Sequence, residues 1–359
     1  MAEPTNTPMP PSTPISATPR SMSPVPPPVP SFPTPSASAI DLASTSSSTS
    51  PPGPRKPIIL HIGDPIKYNP TTYATLTRLF DVVRPSESER HRPEFILFAS
   101  AGAGFDWADT KALGERGIIY CNGGLAAAEA VADFAVAMVI STFRSLPFCI
   151  GAASSGSAEK FADCHANATA VSRNLRGHKL GLVGLGNIGQ QIATKLRVAF
   201  GMNILYFDIL RKSHEVEKAL GAQFCSSMED VIRASDCVVL CTPSGAGKVI
   251  NATSLGWFKP GARFVNIARG SLVDEAALAD ALEEGRLSSV ALDVHSDEPH
   301  VDKRLLALAG SRALLTCHNA GGTVETHIGF EELSMRNIMA VLGGKDAITP
   351  VNLQYLQKS

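Results

Sequence analysis

The sequence has few cysteines, and they form no recognisable pairing pattern. Seven occur in 359 residues, with no Cys-x-x-Cys pair and no evenly spaced framework. Several, such as Cys237 and Cys241, stand inside apolar runs typical of buried strands. A disulfide-stabilised secreted domain is therefore excluded, and the thiols are predicted to be reduced core residues of an intracellular protein.

The chain also lacks a surplus of charge and any long apolar run. Its formal net charge is −1, whereas nucleic-acid binding would require a basic excess on one face. No run of roughly eighteen or more apolar residues escapes interruption by polar or charged groups, so no membrane span is expected. With 44% apolar residues, the chain can instead bury sizeable cores, in one large domain or two medium ones.

Large apolar residues are scarce in residues 1–56, where 16 of the 26 prolines stand among Ser, Thr and Ala. Such a segment cannot bury enough surface to offset the entropy lost on ordering, so a disordered tail is predicted. A mitochondrial transit peptide is the competing interpretation, but it would need several arginines on an amphipathic helix. Arg20 is the only basic residue before Arg55, and proline opposes the helix. We therefore expect a cytosolic protein.

The central part of the chain carries the pattern strand, glycine turn, helix, strand, acidic residue. Leu180–Val183 is a short apolar run typical of a buried parallel strand, and Gly184, Gly186 and Gly189 follow it with the spacing G-x-G-x-x-G. In that motif the glycines turn the chain, let the backbone approach a pyrophosphate, and let the helix pack on the strand. Asp208 ends the next strand, nineteen residues after Gly189, where a carboxylate can accept the ribose hydroxyls of NAD. The combination predicts a dinucleotide site.

Strand-like and helix-like segments alternate on both sides of this motif. Such alternation predicts an α/β fold with a doubly wound parallel sheet. A long apolar helix over residues 126–146 is expected to join two lobes, and residues 147–178 show little periodicity. The other predicted strands are PIILHIG, DVV, EFILFAS, Gly117–Cys121, Cys237–Cys241, Arg263–Asn266, Val290–Val294 and Leu314–Cys317, and the other predicted helices are TTYATLTRLF, Asp106–Arg116, Ser213–Leu220, Met228–Ala234, Glu275–Glu283 and Val324–Leu342.

Three polar side chains follow predicted strands beyond the motif, at the edge where open α/β sheets bind their ligands. Arg269 lies in NIARGSLVDE, Glu298 in ALDVHSDEP and His318 in LTCHNAGG. Taken singly, each has a plain structural explanation: a surface arginine, a solvated acid, and a capping or core histidine. Together they provide a cation for an anionic substrate, a carboxylate that can hold an imidazolium, and an acid–base group suited to neutral pH. The set suits the protonation step of ketone reduction.

In this order the stretches resemble the D-isomer-specific 2-hydroxyacid dehydrogenases, and most closely their fungal glyoxylate/hydroxypyruvate reductase branch. The resemblance covers residues 57–359 and rests on SAGAGFDWADT, YCNG, RGHKLGLVGLGNIGQ, NIARGSLVDE, ALDVHSDEP and TCHNAGG. It implies a Rossmann NAD-binding domain over residues 126–322. It also implies a homodimer and a smaller flavodoxin-like substrate domain over residues 57–125, to which residues 323–359 return.

The resemblance implies roles for individual residues. The family's catalytic trio matches Arg269, Glu298 and His318, and its substrate-carboxylate nest matches the backbone amides of Ala103 and Gly104. The residues implied in cofactor binding are Gly184, Gly186, Asn187, Ile188 and Gly189 at the pyrophosphate, Asp208 at the adenine ribose, Thr242 and Pro243 beside the adenosine, and Asp293 near the nicotinamide carboxamide. No metal site is predicted.

The implied reaction reduces a small 2-keto acid, glyoxylate or hydroxypyruvate, to its D-2-hydroxy acid. Hydride would come from the nicotinamide and the proton from His318, with Arg269 orienting the carboxylate. Asp208 would repel a 2′-phosphate, so NAD(H) is favoured. Arg211 and Lys212 lie close enough in sequence to leave the use of NADP(H) open.

One interval is shorter than the family pattern. Between DVV and EFILFAS the family has a further strand–helix unit whose loop faces the substrate, and here only Arg84–Pro93 fill that place. A shortened substrate domain that lacks one strand and one wall of its pocket is expected, with a misassembled gene sequence as the competing explanation. The shortened lobe and the proline-rich tail leave open a second function, that of a catalytically weak NAD-binding regulatory protein acting through partners.

Overall fold

The computed structural model describes residues 56–84, 95–245 and 247–356. The tail predicted for residues 1–56 lies outside the described residues except for Lys56, as does most of the short interval Arg84–Pro93. Contacts between Cα atoms group Arg55–Ser359 into one unit, which contains both predicted lobes. The boundary between those lobes stays a prediction.

The first lobe contains two separate pairs of parallel strands, β1 with β2 and β3 with β4. Its elements are β1 (Ile58–Leu60), α1 (Pro70–Leu79), β2 (Asp81–Val83), β3 (Leu97–Ala99), α2 (Thr110–Glu115) and β4 (Ile119–Cys121). In a flavodoxin-like sheet of order 2-1-3-4-5, the third strand lies between the first and the fourth. Removing that strand separates the sheet into two such pairs. The described part of the lobe therefore has the arrangement expected from its shortened sequence.

Strands and helices of the first lobe are short and only partly buried. No residue of β1, β2 or β3 is buried, and Phe95 and Ile96, which precede β3, are about half exposed. The helix predicted over Asp106–Arg116 begins only at Thr110. The reason is that the Asp109 side chain accepts a hydrogen bond from Ala112 N (2.9 Å) and caps the helix there.

A long apolar helix, α3 (Gly124–Phe143), follows the first lobe. Among the described helices it alone is long and apolar enough to cross a membrane by length and composition. Ala132, Ala135 and Val139 on this helix are nevertheless fully buried and belong to the main apolar core. It is therefore a core helix of the folded unit.

The helix predicted over residues 126–146 ends early. Ser145 has φ 52°, and a new helix, α4 (Leu146–Ser154), begins with Pro147 in its first turn, where a missing N–H costs nothing. Residues 147–178 show little periodicity and no helix was predicted there, but α4 and α5 (Ala158–Val171) fill most of this stretch. The sequence of α4 is apolar almost throughout and so shows no periodicity, whereas in α5 the residues Phe161, Cys164, Ala168 and Val171 recur at helical spacing, a usable signal that was missed.

Seven parallel strands form the larger sheet, and they confirm the predicted doubly wound fold. They are β5 (Lys179–Val183), β6 (Asn203–Phe207), β7 (Ala222–Phe224), β8 (Cys237–Leu240), β9 (Ala262–Asn266), β10 (Leu287–Leu292) and β11 (Ala313–Leu315). Their spatial order is β11-β10-β9-β8-β5-β6-β7. The order reverses between β5 and β8, which is the switch point where open α/β sheets bind ligands.

Helices cover both faces of this sheet. They are α6 (Asn187–Phe200), α7 (His214–Leu220), α8 (Met228–Ala234), α9 (Ala252–Leu255), α10 (Glu275–Glu283) and α11 (Lys303–Ala307). Side chains of β8 alternate between the faces: Cys237 and Val239 join the core beneath α3 and α6, and Val238 and Leu240 join the core on the other face. Burial of one valine or leucine side chain stabilises the fold by about 1.5–3 kcal/mol. The many buried side chains therefore make the sheet a stable support for the loops at its edge. The short elements β7, α9 and α11 were not predicted.

The last helix, α12 (Val324–Leu342), has the predicted bounds and packs on the first lobe. Glu331 accepts hydrogen bonds from the backbone N–H groups of Lys67 and Tyr68 (2.8 Å each), just before α1. Met335 packs with Leu76 and Phe80 in a small apolar cluster. The C-terminal part of the chain therefore completes the first lobe.

Beyond α12, the fully buried Asn352 fastens the chain to the first lobe. Its Oδ1 accepts a hydrogen bond from Tyr120 N (2.8 Å), and its Nδ2 donates to Thr110 O and Ile118 O (3.0 Å each). Three backbone groups around α2 and β4 thus depend on one side chain.

We expect Asn352→Leu to lower the free energy of unfolding by about 2–5 kcal/mol, because leucine has a similar volume but leaves those three groups unpaired. Urea unfolding followed by circular dichroism measures the change. Leu353→Ala, at the next and half-exposed position, is the matched control and should cost less than about 1 kcal/mol. Equal stability of Asn352→Leu and the wild type would contradict this role.

Candidate active site

All predicted site residues except Ala103 and Gly104 lie in loops that follow strands of the larger sheet or, for Asn187, Ile188 and Gly189, in the first turn of the helix after such a loop. The glycine loop follows β5, Asp208 follows β6, Thr242 and Pro243 follow β8, Arg269 follows β9, Asp293 and Glu298 follow β10, and His318 follows β11. Because the strands are parallel, their carboxyl ends form one edge of the sheet. The nucleotide motif stands at the switch point, and the three polar candidates stand on adjacent strands beside it.

Two of the three motif glycines are required by the fold itself. Gly184 has φ 101°, and a Cβ there would lie 2.8 Å from Cys241 O. A Cβ on Gly189 would lie 2.6 Å from Gly184 O, again too close for any side chain. Thr242 N lies 3.2 Å from the Cβ position of Gly184, so Thr242 and Pro243 stand beside the loop.

Gly186 is different, because the protein alone does not require glycine there. Its φ is −73°, and no atom lies within 4 Å of its Cβ position. Gly186 is the N-cap residue of α6, and the amides of Asn187, Ile188 and Gly189 form the first turn, where N–H groups have no helical acceptors. A cradle that a side chain would fill, beneath the N-terminus of a helix, fits the pyrophosphate of a dinucleotide.

Asp208 faces the glycine loop. Its carboxylate accepts hydrogen bonds from Leu185 N (2.8 Å) and Leu210 N (3.3 Å), and Lys212 Nζ lies 3.3 Å away. Burial disfavours the ionised form, but these bonds and the lysine outweigh it, so the pKa of Asp208 lies below its ordinary value. An ionised acceptor at the end of β6 is suited to ribose hydroxyls.

Arg211, the other cation close to Asp208 in sequence, pairs with a different carboxylate. Arg211 donates from Nε and Nη2 to the two carboxylate oxygens of Glu217 (2.8 and 3.0 Å). The Tyr206 hydroxyl also donates to Glu217 (2.7 Å), and the pKa of Glu217 falls to about 2 because of these two partners. Arg211 is thus held by its own acidic partner, and Lys212 is held by Asp208.

The structure brings His318 and Glu298 together. His318 Nδ1 donates to Glu298 Oε2 (2.8 Å), and His295 N donates to the other oxygen, Oε1 (3.0 Å). Burial raises the pKa of Glu298, but the bonds from His318 and His295 outweigh burial and hold it below its ordinary value. A carboxylate can only accept, so Nδ1 carries a proton and Nε2 is left toward solvent.

His318 has a left-handed backbone conformation that non-glycine residues rarely adopt. Its φ is 53°, in the left-handed region, and a non-glycine residue there is strained. Asp293 holds it: His318 N donates to Asp293 O (2.6 Å), and the Asp293 carboxylate accepts from Asn319 N (3.0 Å) and Ala320 N (2.9 Å). Asp293 is 1% exposed, so its side chain organises the His318 loop, and its predicted contact with a carboxamide stays a prediction.

Arg269 lies against the glycine-rich loop of the first lobe. Its Nη2 would be 2.6 Å from a Cβ on Gly104. Its Nε donates to Asp106 Oδ2 (2.5 Å), and its Nη1 donates to Ala268 O (2.7 Å). The guanidinium is therefore placed beside Gly104, whose backbone amide was predicted to bind a carboxylate together with that of Ala103.

Two contacts join the Arg269 loop to the Glu298 loop. A Cβ on Gly270 would lie 1.9 Å from His295 C and 2.4 Å from Ser296 N, so the two backbones touch. Glu275, at the start of α10, accepts hydrogen bonds from Ser296 N (2.9 Å) and Ser296 Oγ (2.7 Å). Arg269, Glu298 and His318 thus belong to one connected group of loops.

A cavity of about 780 Å³ borders the Glu298–His318 pair. Its lining includes Phe134, Val301, Leu306 and Leu315 besides the pair itself. Arg269, Ala103 and Gly104 do not line it. The cavity therefore adjoins the Glu298–His318 pair and does not include the residues predicted to bind an anionic substrate.

Comparison with known families decides the assignment. The family model "D-isomer specific 2-hydroxyacid dehydrogenase, NAD binding domain" matches residues 136–320. The chain belongs to this family. The glyoxylate reductase of Thermococcus kodakarensis is 35% identical over 267 residues, which cover 74% of this chain and 79% of that protein.

Solved structures of 2-hydroxyacid dehydrogenases share the fold over most of their length. Apo D-mandelate dehydrogenase of Rhodotorula graminis has a TM-score of 0.78 at 34% identity, covering 83% of this chain and 98% of that one. A glyoxylate reductase of Paecilomyes thermophila has a TM-score of 0.72 at 28% identity, covering 84% and 99%. These likenesses do not separate the branches of the dehydrogenase family, so the narrower fungal reductase resemblance stays a prediction.

Sequence reasoning missed three residues that hold the dehydrogenase site together, namely Asp106, Gly270 and Glu275. All three lie in stretches that carried the family resemblance, SAGAGFDWADT and NIARGSLVDE. A glycine directly after a predicted binding arginine was a usable signal of close backbone approach. The partners of the two acids follow other strands, so no local pattern identifies them.

The contrast between Gly186 and Gly189 gives a test of the nucleotide cradle. We expect Gly186→Val to lower the melting temperature only slightly, because valine is a poorer N-cap, and to weaken NADH binding about a hundredfold, because only a bound pyrophosphate needs the space. Gly189→Val should instead destabilise the protein, since its side chain meets Gly184 O. Fluorescence titration with NADH and thermal melts measure the two effects. Unchanged NADH affinity in a stable Gly186→Val protein would contradict the cradle.

Proposed function

We propose that this protein reduces a small 2-keto acid, glyoxylate or hydroxypyruvate, to the D-2-hydroxy acid. The reduced nicotinamide of NAD(P)H supplies the hydride when bound. The observation that carries the proposal is the Glu298–His318 hydrogen bond of 2.8 Å, in loops joined to the Arg269 loop through Gly270. The glyoxylate reductases among the relatives support the substrate class.

His318 is the proposed proton donor. With Nδ1 donating to Glu298, a protonated ring carries its second proton on Nε2, which can pass to the keto oxygen. Glu298 fixes the orientation of the ring through its hydrogen bond with Nδ1, and His295 N keeps the carboxylate in place. The strained backbone at His318 persists because Asp293 holds the residues that follow it.

Arg269 and the first-lobe amides are the proposed carboxylate site. A guanidinium can bind a carboxylate through two parallel hydrogen bonds, and the amides of Ala103 and Gly104 would add two more donors. Arg269 comes from the larger sheet and the two amides come from the first lobe. Arg269 Nη2 lies beside Gly104, so the two lobes together would form this carboxylate site. The positive charge also polarises the adjacent keto group.

NAD(H) is the proposed cofactor, with NADP(H) as the open alternative. Asp208 is ionised at the ribose position, and both nearby cations already have acidic partners, Arg211 on Glu217 and Lys212 on Asp208. A 2′-phosphate would thus meet a negative charge, and neither of these two cations is unpaired. The NADPH-dependent glyoxylate/hydroxypyruvate reductase of Sinorhizobium meliloti, solved with NADP and malonate, is the relative that keeps NADP(H) in consideration.

A homodimer in the cytosol is proposed on the family resemblance.

The regulatory alternative, an NAD-binding protein with little activity, is not favoured. Its sequence argument was the shortened first lobe, yet the pair Glu298–His318 and the placement of Arg269 at Gly104 are intact in the described structure.

A bulkier 2-keto acid is the second candidate substrate. The D-mandelate dehydrogenase resembles this chain more than the Paecilomyes glyoxylate reductase does, at TM-scores of 0.78 and 0.72. The first lobe also has only two separate strand pairs among the described residues, and the strand missing from the family pattern was expected to form one wall of the substrate pocket. Phenylglyoxylate, the keto acid that corresponds to mandelate, is therefore included in the test.

The purified protein is assayed for oxidation of NADH and of NADPH, separately, with glyoxylate, hydroxypyruvate, pyruvate and phenylglyoxylate. We expect turnover with at least one keto acid and a higher kcat/KM with NADH than with NADPH. His318→Ala should lower kcat by about 10²–10⁴-fold and leave NADH affinity nearly unchanged, since it removes only the proton donor.

His300→Ala is the matched control, because His300 lies two residues beyond Glu298 and its side chain is 79% exposed. It should retain wild-type turnover. Tight NADH binding without turnover of any keto acid would remove the reductase function. Wild-type kcat in His318→Ala would remove His318 as the acid while leaving the function itself in place.

A further inference from the structure

Asp106 lies in the first-lobe loop SAGAGFDWADT, two residues after Gly104, and the catalytic trio does not include it. Its carboxylate accepts the Arg269 Nε hydrogen bond (2.5 Å), and the Ser244 hydroxyl donates to its other oxygen. Arg269 follows β9 and Ser244 follows β8, so one first-lobe carboxylate binds two loops at the edge of the larger sheet.

The hydrogen bonds of Arg269 show what this carboxylate does. A guanidinium has five N–H donors in a fixed plane. Nε is taken by Asp106 and one N–H of Nη1 by Ala268 O, which fixes the plane and leaves Nη2 at Gly104. Rotation of the side chain away from Gly104 would break both bonds.

We propose that Asp106 is the positioning residue for Arg269. Across the contact between the two lobes, it holds the guanidinium in the orientation that faces the substrate carboxylate. Ser244 keeps Asp106 in place, so the carboxylate does not have to leave when a second carboxylate arrives at Nη2. The same hydrogen bonds from Ser244 and Arg269 lower the pKa of Asp106 despite its partial burial, so Asp106 remains an anion at neutral pH. This inference rests on the proposed keto-acid reduction.

An opposite role is physically possible and gives a clear contrast. If Asp106 occupied the substrate's place on Arg269, it would inhibit, and removing it would lower KM. If it positions the arginine, removing it raises KM for the keto acid and lowers kcat/KM. NADH affinity should change little in either case, because the hydrogen bonds of Asp106 go to Arg269 and Ser244 and to none of the residues assigned to the cofactor.

The test compares Asp106→Ala, Asp106→Asn and Asp109→Ala in steady-state kinetics with the best keto acid, together with NADH titrations. For Asp106→Ala we expect kcat/KM to fall about a hundredfold, mostly through KM, as for other misplaced substrate-binding groups. Asp106→Asn keeps an oxygen acceptor for Arg269 Nε but loses the charge, so it should fall between Asp106→Ala and the wild type. NADH affinity should stay within about threefold in all variants.

Asp109→Ala is the matched control, since Asp109 is in the same loop and only caps α2 through Ala112 N. It should keep wild-type kinetics even if it lowers the melting temperature. In an Arg269→Lys background, Asp106→Ala should cost little more, because the two residues act as a unit.

Four results would overturn the proposal. A lower or unchanged KM in Asp106→Ala would do so, and so would equal losses in Asp106→Ala and Asp109→Ala, which would show a general loop defect. A wild-type protein with no keto-acid turnover would overturn the proposed function and this inference together. A fully active wild type with unchanged Asp106→Ala kinetics would overturn this inference alone.

Discussion

The close approach of Gly270 to the backbone of His295 and Ser296 is the contact on which the candidate site depends. It brings the loop that carries Arg269 against the loop that carries Glu298, and Glu275 reinforces it from α10. The loops of Arg269, Glu298 and His318 follow the adjacent parallel strands β9, β10 and β11, so all three lie at one edge of the sheet. Strand pairing does not by itself fix how these loops lie relative to one another. The glycine contact fixes them, so an acid–base pair and a guanidinium share one surface.

Much of the fold was predictable because its signals are local. The motif around Gly184 and the apolar runs of β5 to β11 predicted the doubly wound sheet, and α12 has the predicted bounds. The helices α4 and α5 were not predicted: α4 is apolar almost throughout and so has no periodicity, whereas the helical spacing of Phe161, Cys164, Ala168 and Val171 in α5 was an overlooked signal. The short interval Arg84–Pro93 predicted a lobe without one strand, and two separate strand pairs are present in the described residues.

The candidate site was predictable in its residue types and less so in its connections. Arg269, Glu298 and His318 could be identified because each follows a predicted strand, and the structure joins Glu298 and His318 directly. Asp106 and Glu275 bind partners from distant strands, and such contacts depend on tertiary packing that no spacing reveals. The loops of the larger sheet are well supported by buried strands, whereas the first lobe relies on Asn352, α12 and the Asp106 contacts.

Glu275→Ala tests most directly whether the contact between the Arg269 loop and the Glu298 loop orders the Glu298–His318 pair. Glu275 binds Ser296 and has no hydrogen bond to Arg269, Glu298 or His318. Single-turnover kinetics with NADH and the preferred keto acid should show hydride transfer slowed about tenfold to a hundredfold, with NADH affinity unchanged. A wild-type rate in Glu275→Ala, accompanied only by a lower melting temperature, would contradict the account.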